Sequence, residues 1–209
     1  GRRLRGTVRM IDTATGNVLE ESRKLLAVVP RYNDDGTMIY RGARYNVVNQ
    51  QRLKPGIYGR VKQNGETESH VNPQQGTGSM HRYIFNPESG VFSLNIRNSK
   101  IPLVPLLRTL GVSDDEITTA WGEEIAKKNF AKKDQGSLDK LYERLVPSKE
   151  RLPDANKEYK QIAIRKAIGD VRLDQWTMKS LLDEDSDRLT PMAILKATAK
   201  TLAMARGDQ

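Results

Sequence analysis

The period of the apolar residues changes once along this chain of 209 residues, near Pro102. Before that position, apolar residues form short runs rich in Val, Ile, Tyr and Leu, separated by turn pairs such as Asn64-Gly65. After it they recur at the i, i+3, i+4 and i+7 spacing of a helix, first at Leu103, Leu106, Leu107 and Leu110. Short apolar runs between Asx-Gly turns are typical of β-hairpins. The sequence therefore predicts an α+β fold, a β-rich N-terminal part with hairpins at residues 1–100 followed by a helical part at residues 101–209.

Individual elements follow from the same two patterns. Strands are predicted within Leu25–Val29, Met38–Tyr40, Tyr45–Val48, Ile57–Val61, Tyr83–Phe85 and Val91–Ile96. The segment Gln63-Asn64-Gly65-Glu66 predicts a two-residue hairpin turn, and the polar, Gly-rich stretch 72–79 predicts a loop. Helices are predicted at Leu103–Leu110, from Asp114 to about Lys128, and at Leu138–Leu145, Ala155–Ile168, Gln175–Leu182 and Thr190–Ala205.

Several helix ends carry their own signals. Ser113 with Glu116 forms a capping box, and Gly111 is placed as a C-cap of the helix before it. Thr190 followed by Pro191 predicts the start of the last helix, whose buried stripe comprises Ile194, Leu195, Thr198, Leu202 and Ala205. We expect the first two helices to meet through Leu106, Leu107, Leu110 and Ile117.

Positive charge is concentrated in the first half of the chain. Residues 1–111 carry 17 Lys and Arg against 8 Asp and Glu, whereas residues 112–209 carry 18 of each. A one-sided basic excess is typical of a protein with a polyanionic partner. A surface whose charge serves solubility alone is the alternative interpretation.

The sequence offers no convincing catalytic site, metal site or cofactor motif. Cysteine is absent, which excludes disulfides and thiolate ligands. His70 and His81 are predicted to be solvated loop residues, and residues 183–187 to form the acidic segment leading into the last helix. Gly76 and Gly78 are followed by neither a helix nor a Lys and so do not predict a phosphate loop. We expect a cytoplasmic protein, because no run reaches the roughly 18 apolar residues of a membrane helix and no signal peptide precedes the fold.

Four aromatic residues and one arginine have two possible roles each. Trp121 and Trp176 are predicted to be core or subdomain contacts rather than nucleobase stackers. Tyr58 and Tyr83 are predicted to pack in the core, with base stacking as the alternative. Arg108, within the first apolar helix, is predicted to form a structural ion pair.

One segment is distinctive: Lys100-Ile101-Pro102-Leu103-Val104-Pro105-Leu106-Leu107-Arg108-Thr109-Leu110-Gly111-Val112-Ser113-Asp114-Asp115-Glu116-Ile117. Its residues alone predict a strand end, a helix begun at proline, a glycine cap and a second capped helix. The segment closely resembles one in the β (second-largest) subunits of multisubunit DNA-directed RNA polymerases. That family usually has Ala where this chain has Thr109.

A second segment resembles the same family and stands in the family's order. It runs from Asp34-Asp35-Gly36-Thr37 through Gly42 to Asn49-Gln50, and continues as Gln51-Arg52-Leu53-Lys54-Pro55-Gly56-Ile57-Tyr58. Arg41 replaces the family's Asn, and Tyr45-Asn46 departs from its usual Arg-Val. The resemblance covers about residues 25–118, and the divergence elsewhere suggests a phage or viral polymerase as readily as a cellular one.

The resemblance implies the protrusion and lobe region, which forms one wall of the DNA cleft and lacks the catalytic aspartates of the partner subunit. It places Arg52, Lys54, Arg97 and Lys100 best for contact with nucleic-acid backbone, with an exposed face without any DNA role as the alternative. Implied partners are DNA, the RNA–DNA hybrid region and other polymerase subunits, with no small-molecule substrate and no membrane. The location would be the nucleoid, or the infected cell or virion for a viral protein. A free-standing nucleic-acid-binding or transcription-regulatory protein of viral origin is the second hypothesis, and an independent enzyme the third.

Overall fold

The computed structural model describes residues 1–48, 51–132 and 136–207. Its Cα positions divide the chain into two compact units, Gly1–Arg52 and Leu53–Gln209. We call the first the hairpin unit and the second the core unit. Asn49 and Gln50, which belong to the second polymerase-like segment, lie outside the described residues.

The hairpin unit contains two antiparallel two-stranded sheets. Strands β1 (Arg2–Ile11) and β2 (Val18–Val29) form a long hairpin with register shifts after Leu4 and Met10. Strands β3 (Thr37–Tyr40) and β4 (Ala43–Asn46) form a short one around Arg41-Gly42. Both turn residues have positive φ, 49° and 80°, as the tight hairpin turn of this type requires.

The core unit begins with a five-stranded antiparallel sheet in which every strand pairs with its sequence neighbour. The strands are β5 (Gly56–Val61), β6 (Thr67–Asn72), β7 (His81–Asn86), β8 (Val91–Ile96) and β9 (Ser99–Pro102). Helices follow as α1 (Leu103–Thr109), α2 (Asp114–Trp121), α3 (Glu123–Phe130), α4 (Ser137–Leu145), α5 (Lys157–Gly169), α6 (Gln175–Leu182) and α7 (Pro191–Arg206), with a short 3-10 turn at Ser148–Glu150.

One face of the sheet packs against the helices. Side chains alternate along each strand, so Ser69 on β6, Tyr83 on β7 and Leu94 on β8 share this face in one cross-strand row. Ser69 Oγ donates to the Ala197 carbonyl of α7 at 3.1 Å. Next to this row, the Phe92 ring stacks on Trp121 of α2 with 4.5 Å between ring centroids. Sheet and helices therefore build one hydrophobic core.

Most local predictions are confirmed. The α+β class, the strand-rich first half and the helical second half are as expected. Ser113 and Glu116 form the reciprocal capping box, and Thr190 caps α7 with Pro191 in its first turn. Gly111 has a φ of +93° after α1, and Leu106, Leu107 and Ile117 are buried where α1 and α2 meet, with partly buried Leu110 packed against the core.

The boundary between the two compact units does not coincide with the change of period near residue 100. The sheet from β5 to β9 and all the described helices belong to the core unit, because the apolar face of the sheet requires the helices to cover it. The boundary at residues 52 and 53 lies instead between two β-rich segments, where the sequence keeps the same composition and period.

Local predictions differ from the structure at five places. The helix that begins after Ser113 ends at Trp121, because Gly122 adopts φ 81° and ψ 155°, outside the helical region. The hairpin loop after β5 has three residues, since Lys62 and Glu66 bracket it and Gly65 takes the left-handed position. His70 and His81 are strand residues rather than solvated loop residues, the first half-buried and the second buried, and Trp176 is 72% exposed on α6. Polar β6, absent from the predicted strands, pairs with β5 and β7.

Candidate nucleic-acid interface

The second face of the sheet carries mostly polar side chains, together with buried Ile84, which pairs with Glu68. Strand alternation places Arg60 and Lys62 of β5 and its turn, Glu68 of β6, Arg82 of β7 and Lys100 of β9 on the side opposite Ser69 and Tyr83. We call these five residues the polar face. They carry four positive charges and one negative charge.

Glu68 lies at the centre of the polar face. Its side chain is 0% exposed, and Arg60 Nε lies 2.5 Å from Oε1. Lys62 Nζ lies 3.2 Å from Oε2, and Arg82 Nε 4.0 Å from Oε1. Burial raises the pKa of Glu68, but its hydrogen bonds to Arg60 and Lys62 outweigh burial and leave the pKa below its ordinary value. The carboxylate is therefore charged at neutral pH.

The charged side chains of the polar face differ in how far they are exposed to solvent. The side chains of Arg60 and Arg82 are 57% and 41% exposed, whereas the carboxylate between them is buried. Lys62 is 26% exposed and contacts Glu66 at 3.0 Å as well as Glu68. Since the exposed tips are guanidinium groups, the polar face presents positive charge outward and keeps its central negative charge inside.

Lys100 extends the polar face towards β9. It pairs with Asn95 of β8, which pairs in turn with Arg82 of β7 and forms a cross-strand row of hydrogen-bonding side chains. His70 of β6 continues that row and is half-buried. Burial and the nearby Arg82 lower the pKa of His70, so it is neutral at pH 7. The row therefore carries two cations, Lys100 and Arg82, beside an amide and a neutral imidazole.

The four residues singled out from the sequence lie at separate places. Lys100 is on the polar face. Arg97 is in the turn between β8 and β9, where its Nη2 donates to Ser79 Oγ at 2.9 Å. Lys54 precedes β5, with Nζ 4.0 Å from Asp174 Oδ2 and 5.4 Å from the ring centroid of Trp176. Arg52 is exposed at the end of the hairpin unit.

Sequence reasoning missed Arg60, Lys62 and Arg82. A signal for the first two exists, because they alternate with Gly59 and Val61 at the period of a strand. Nothing local marks Arg82, whose partner Glu68 belongs to a strand that the sequence pattern does not reveal. The polar face depends on that strand pairing.

A second basic surface lies on the long hairpin of the other unit. Alternation places Arg3, Arg5 and Arg9 of β1 on one face, and Arg23 of β2 joins them because it pairs with Thr7 of β1. Arg9 Nε lies 2.5 Å from Glu21 Oε2. We call these four arginines the basic hairpin face. The opposite face of the same hairpin carries Leu4, Val8 and Met10, all exposed.

The other side chains considered from the sequence have structural roles. Trp121 is buried and donates from Nε1 to Thr198 Oγ1 at 2.9 Å. Tyr83 is buried, and Tyr58 is half-buried with its hydroxyl donating to the Lys54 carbonyl. Arg108 donates from Nε to Asp114 at 2.9 Å, which confirms the predicted ion pair.

Acidic residues of the segment 183–187 form ion pairs with basic side chains on α6, on α7 and in the chain after α5. Asp183 ends α6 in a left-handed conformation and contacts Lys179. Asp187 contacts Arg172, and Glu184 contacts Lys196. In the described part of the chain, no group of three or more His, Cys, Asp or Glu side chains is arranged to hold a metal ion. None of the described helices is both long and apolar enough to span a bilayer.

No protein-family model matches the chain. The likeness to polymerase β subunits therefore rests on the residues of the two segments between Leu25 and Thr118.

Proposed function

We propose that this chain holds nucleic-acid backbones without reading their sequence, as part of the DNA-cleft wall of a multisubunit RNA polymerase β subunit. The observation that carries the binding proposal is the polar face, where exposed guanidinium groups cover a buried carboxylate. Arginine and lysine neutralise phosphates and release the counterions condensed on DNA, which yields affinity that is independent of sequence. DNA, the RNA–DNA hybrid and other polymerase subunits are the proposed partners.

The geometry favours backbone contact over base reading. Arg60 is hydrogen-bonded to Glu68, which holds its guanidinium group on the sheet surface, and Arg82 Nε lies 4.0 Å from the same carboxylate. Direct reading of bases requires an element that enters a groove, usually a helix or a two-stranded ribbon. The polar face is the surface of a five-stranded sheet, which fits a phosphate backbone lying across it.

The place in a polymerase rests on the sequence resemblance, and the polar face is consistent with it. Neither the polar face nor the basic hairpin face combines acids, bases or nucleophiles in a catalytic arrangement. The proposed role is therefore to position nucleic acid while a partner subunit carries out nucleotide addition.

The proposal is tested with the full chain and two labelled duplexes of unrelated sequence. We expect equal affinities for the two duplexes, and a fall in affinity as salt rises from about 50 to 200 mM, with a slope of about −0.9 per phosphate contact. Lys100→Ala should weaken binding to both duplexes and reduce that slope by about one contact. Lys140, an exposed lysine of α4, provides the matched control as Lys140→Ala. A flat salt dependence, or equal losses for Lys100→Ala and Lys140→Ala, would contradict the proposal.

A further inference from the structure

A second cation-rich site lies in the core unit, away from the polar face. A cavity of about 530 Å³ is enclosed by the loop Gly76–Ser79, the segment around the 3-10 turn, and the chain that follows α5. Such a volume is within the usual range for small-molecule sites, about 300–1,000 Å³. Its charged lining residues are Arg97, Lys149, Glu150, Asp170, Arg172 and Arg188.

The loop on one side of the cavity is fixed by hydrogen bonds. Gln74 N donates to the Arg172 carbonyl at 2.8 Å, and Arg172 N donates back to Thr77 Oγ1 at 3.0 Å. Gly78 packs so closely that a Cβ there would lie 2.7 Å from Val171 Cγ2. Thr77 Oγ1 also donates to the Gln74 carbonyl at 2.8 Å, so this loop is held in place at the cavity wall before any ligand arrives.

Arg97 reaches the cavity from a backbone conformation that arginine rarely adopts. Arg97 and Asn98 form the two-residue turn between β8 and β9 with φ of 46° and 64°. Turns of this type strongly prefer Asn-Gly, and a left-handed arginine is strained. The turn nevertheless carries a long cation whose Nη2 lies 2.9 Å from Ser79 Oγ on the cavity wall.

The charges around the cavity do not cancel. Arg172 contacts Asp187 at 2.5 Å, Arg188 lies 3.8 Å from Asp170, and Glu150 lies 3.7 Å from Lys166. Within the described residues, Arg97 and Lys149 have no carboxylate within 4.0 Å. The lining residues therefore have a net charge of +2, and the Ser79 hydroxyl lies beside Arg97.

We propose that this cavity binds a phosphate-bearing anion. Arg97 and Lys149 supply the charge, and the Ser79 hydroxyl, which accepts from Arg97, donates a hydrogen bond to a phosphate oxygen. Guanidinium and ammonium groups beside hydroxyl donors are the common ligands of phosphate in proteins. The phosphate can belong to a nucleotide or to the end of a nucleic-acid strand, and both present the same group to these residues.

Pyrophosphate is the probe, titrated calorimetrically into the full chain. We expect saturable binding that weakens about tenfold in Arg97→Gly and in Lys149→Ala, because each loses one charge-assisted contact. Arg97→Gly is the sharpest variant, since glycine suits the left-handed turn and should leave thermal stability equal or higher. Lys140→Ala should bind pyrophosphate as the unchanged protein does. Absence of pyrophosphate binding at millimolar concentration, or equal loss in Lys140→Ala, would overturn the proposal.

Competition then identifies the source of the phosphate. Displacement of pyrophosphate by a nucleoside triphosphate, but not by a 5′-phosphorylated oligonucleotide, assigns the cavity to a nucleotide. Displacement by the 5′-phosphorylated oligonucleotide, but by neither the nucleoside triphosphate nor an unphosphorylated oligonucleotide, assigns the cavity to strand ends. Lys100→Ala should leave pyrophosphate binding unchanged, so failure of the DNA proposal and failure of the cavity proposal give different results.

Discussion

The hairpin unit and the core unit are built from strands of similar composition, yet only one of them has a core. In the described residues of the hairpin unit no side chain is buried, although Leu4, Val8 and Leu26 are apolar. Every buried hydrophobic residue described lies between Ile57 and Leu202. A two-stranded hairpin has no second layer on which to bury its apolar face. An apolar strand pattern thus predicts the strand but not whether anything covers it.

The largest expected effect is in the core unit, for Leu107→Ala. Leu107 is 0% exposed in α1, within the cluster that joins the sheet to the helices. Removing its side chain should lower the free energy of unfolding by about 2–5 kcal/mol, because the transfer energy is lost and a cavity remains. Equilibrium urea denaturation measures the change. A loss below about 1 kcal/mol would show that this position is not packed as described.

The second effect should appear in the core unit, as a dependence of its free energy of unfolding on pH. Burial lowers the pKa of His81 from 6.5 to about 4, and it outweighs the opposing hydrogen bond to the Ser79 carbonyl. As pH falls, His81 binds its proton at a higher pH in the unfolded chain than in the folded chain. The stabilisation from neutral His81 is therefore fully present above pH 6.5 and is lost as pH drops from 6.5 towards 4. Between pH 7 and 5 the loss is about 2 kcal/mol.

Urea denaturation at the two pH values, compared with His81→Gln, tests this prediction. The variant should lose the His81 share of the pH dependence, although it is less stable at pH 7. Its residual pH dependence reports other groups, including half-buried His70. Equal pH dependence in the two proteins would mean that His81 titrates normally in the folded state.

These two residues also show what the sequence can reveal. Leu107 is identified by helical spacing, which depends only on neighbours in the chain, and the capping box at Ser113 is found in the same way. His81 looks like a loop residue because the preceding stretch 72–79 is polar and Gly-rich. Its burial comes from pairing with β6, whose Glu68 and Ser69 carry no strand signal of their own.

The candidate sites show the same contrast between residues that local sequence signals reveal and surroundings that only the fold assembles. Lys100 could be placed from its position before Pro102, but the polar face around it requires the pairing of all five strands from β5 to β9. Arg97 was singled out for backbone contact, yet its surroundings come from Ser79, Lys149 and Arg172 on three other segments. Local signals can suggest single cations, and only the fold assembles them.

A smaller effect is expected where local signals dominate. Ser113→Ala removes the hydroxyl that accepts from Glu116 N at 3.2 Å and breaks the capping box of α2. The expected cost is about 1 kcal/mol, the usual value for an N-cap. Ser113→Asp, measured beside it by urea denaturation, should recover most of that loss because aspartate also caps helices. Equal losses of unfolding free energy in both variants would mean that the lost stability does not come from helix capping.

The smallest effect should come from the same chemical change in the hairpin unit, Leu4→Ala. Leu4 is 53% exposed in β1, opposite Ala27. Little apolar area returns to water on unfolding at this position, so the free energy of unfolding should change by no more than about 0.5 kcal/mol. Thus Leu4→Ala and Leu107→Ala compare one side-chain truncation in two settings. A loss of several kcal/mol at Leu4 would break the comparison, because it would require that face of the hairpin to be covered. Repeating the denaturation over a range of protein concentrations would then identify a second copy as the covering surface, since only association makes the loss depend on concentration.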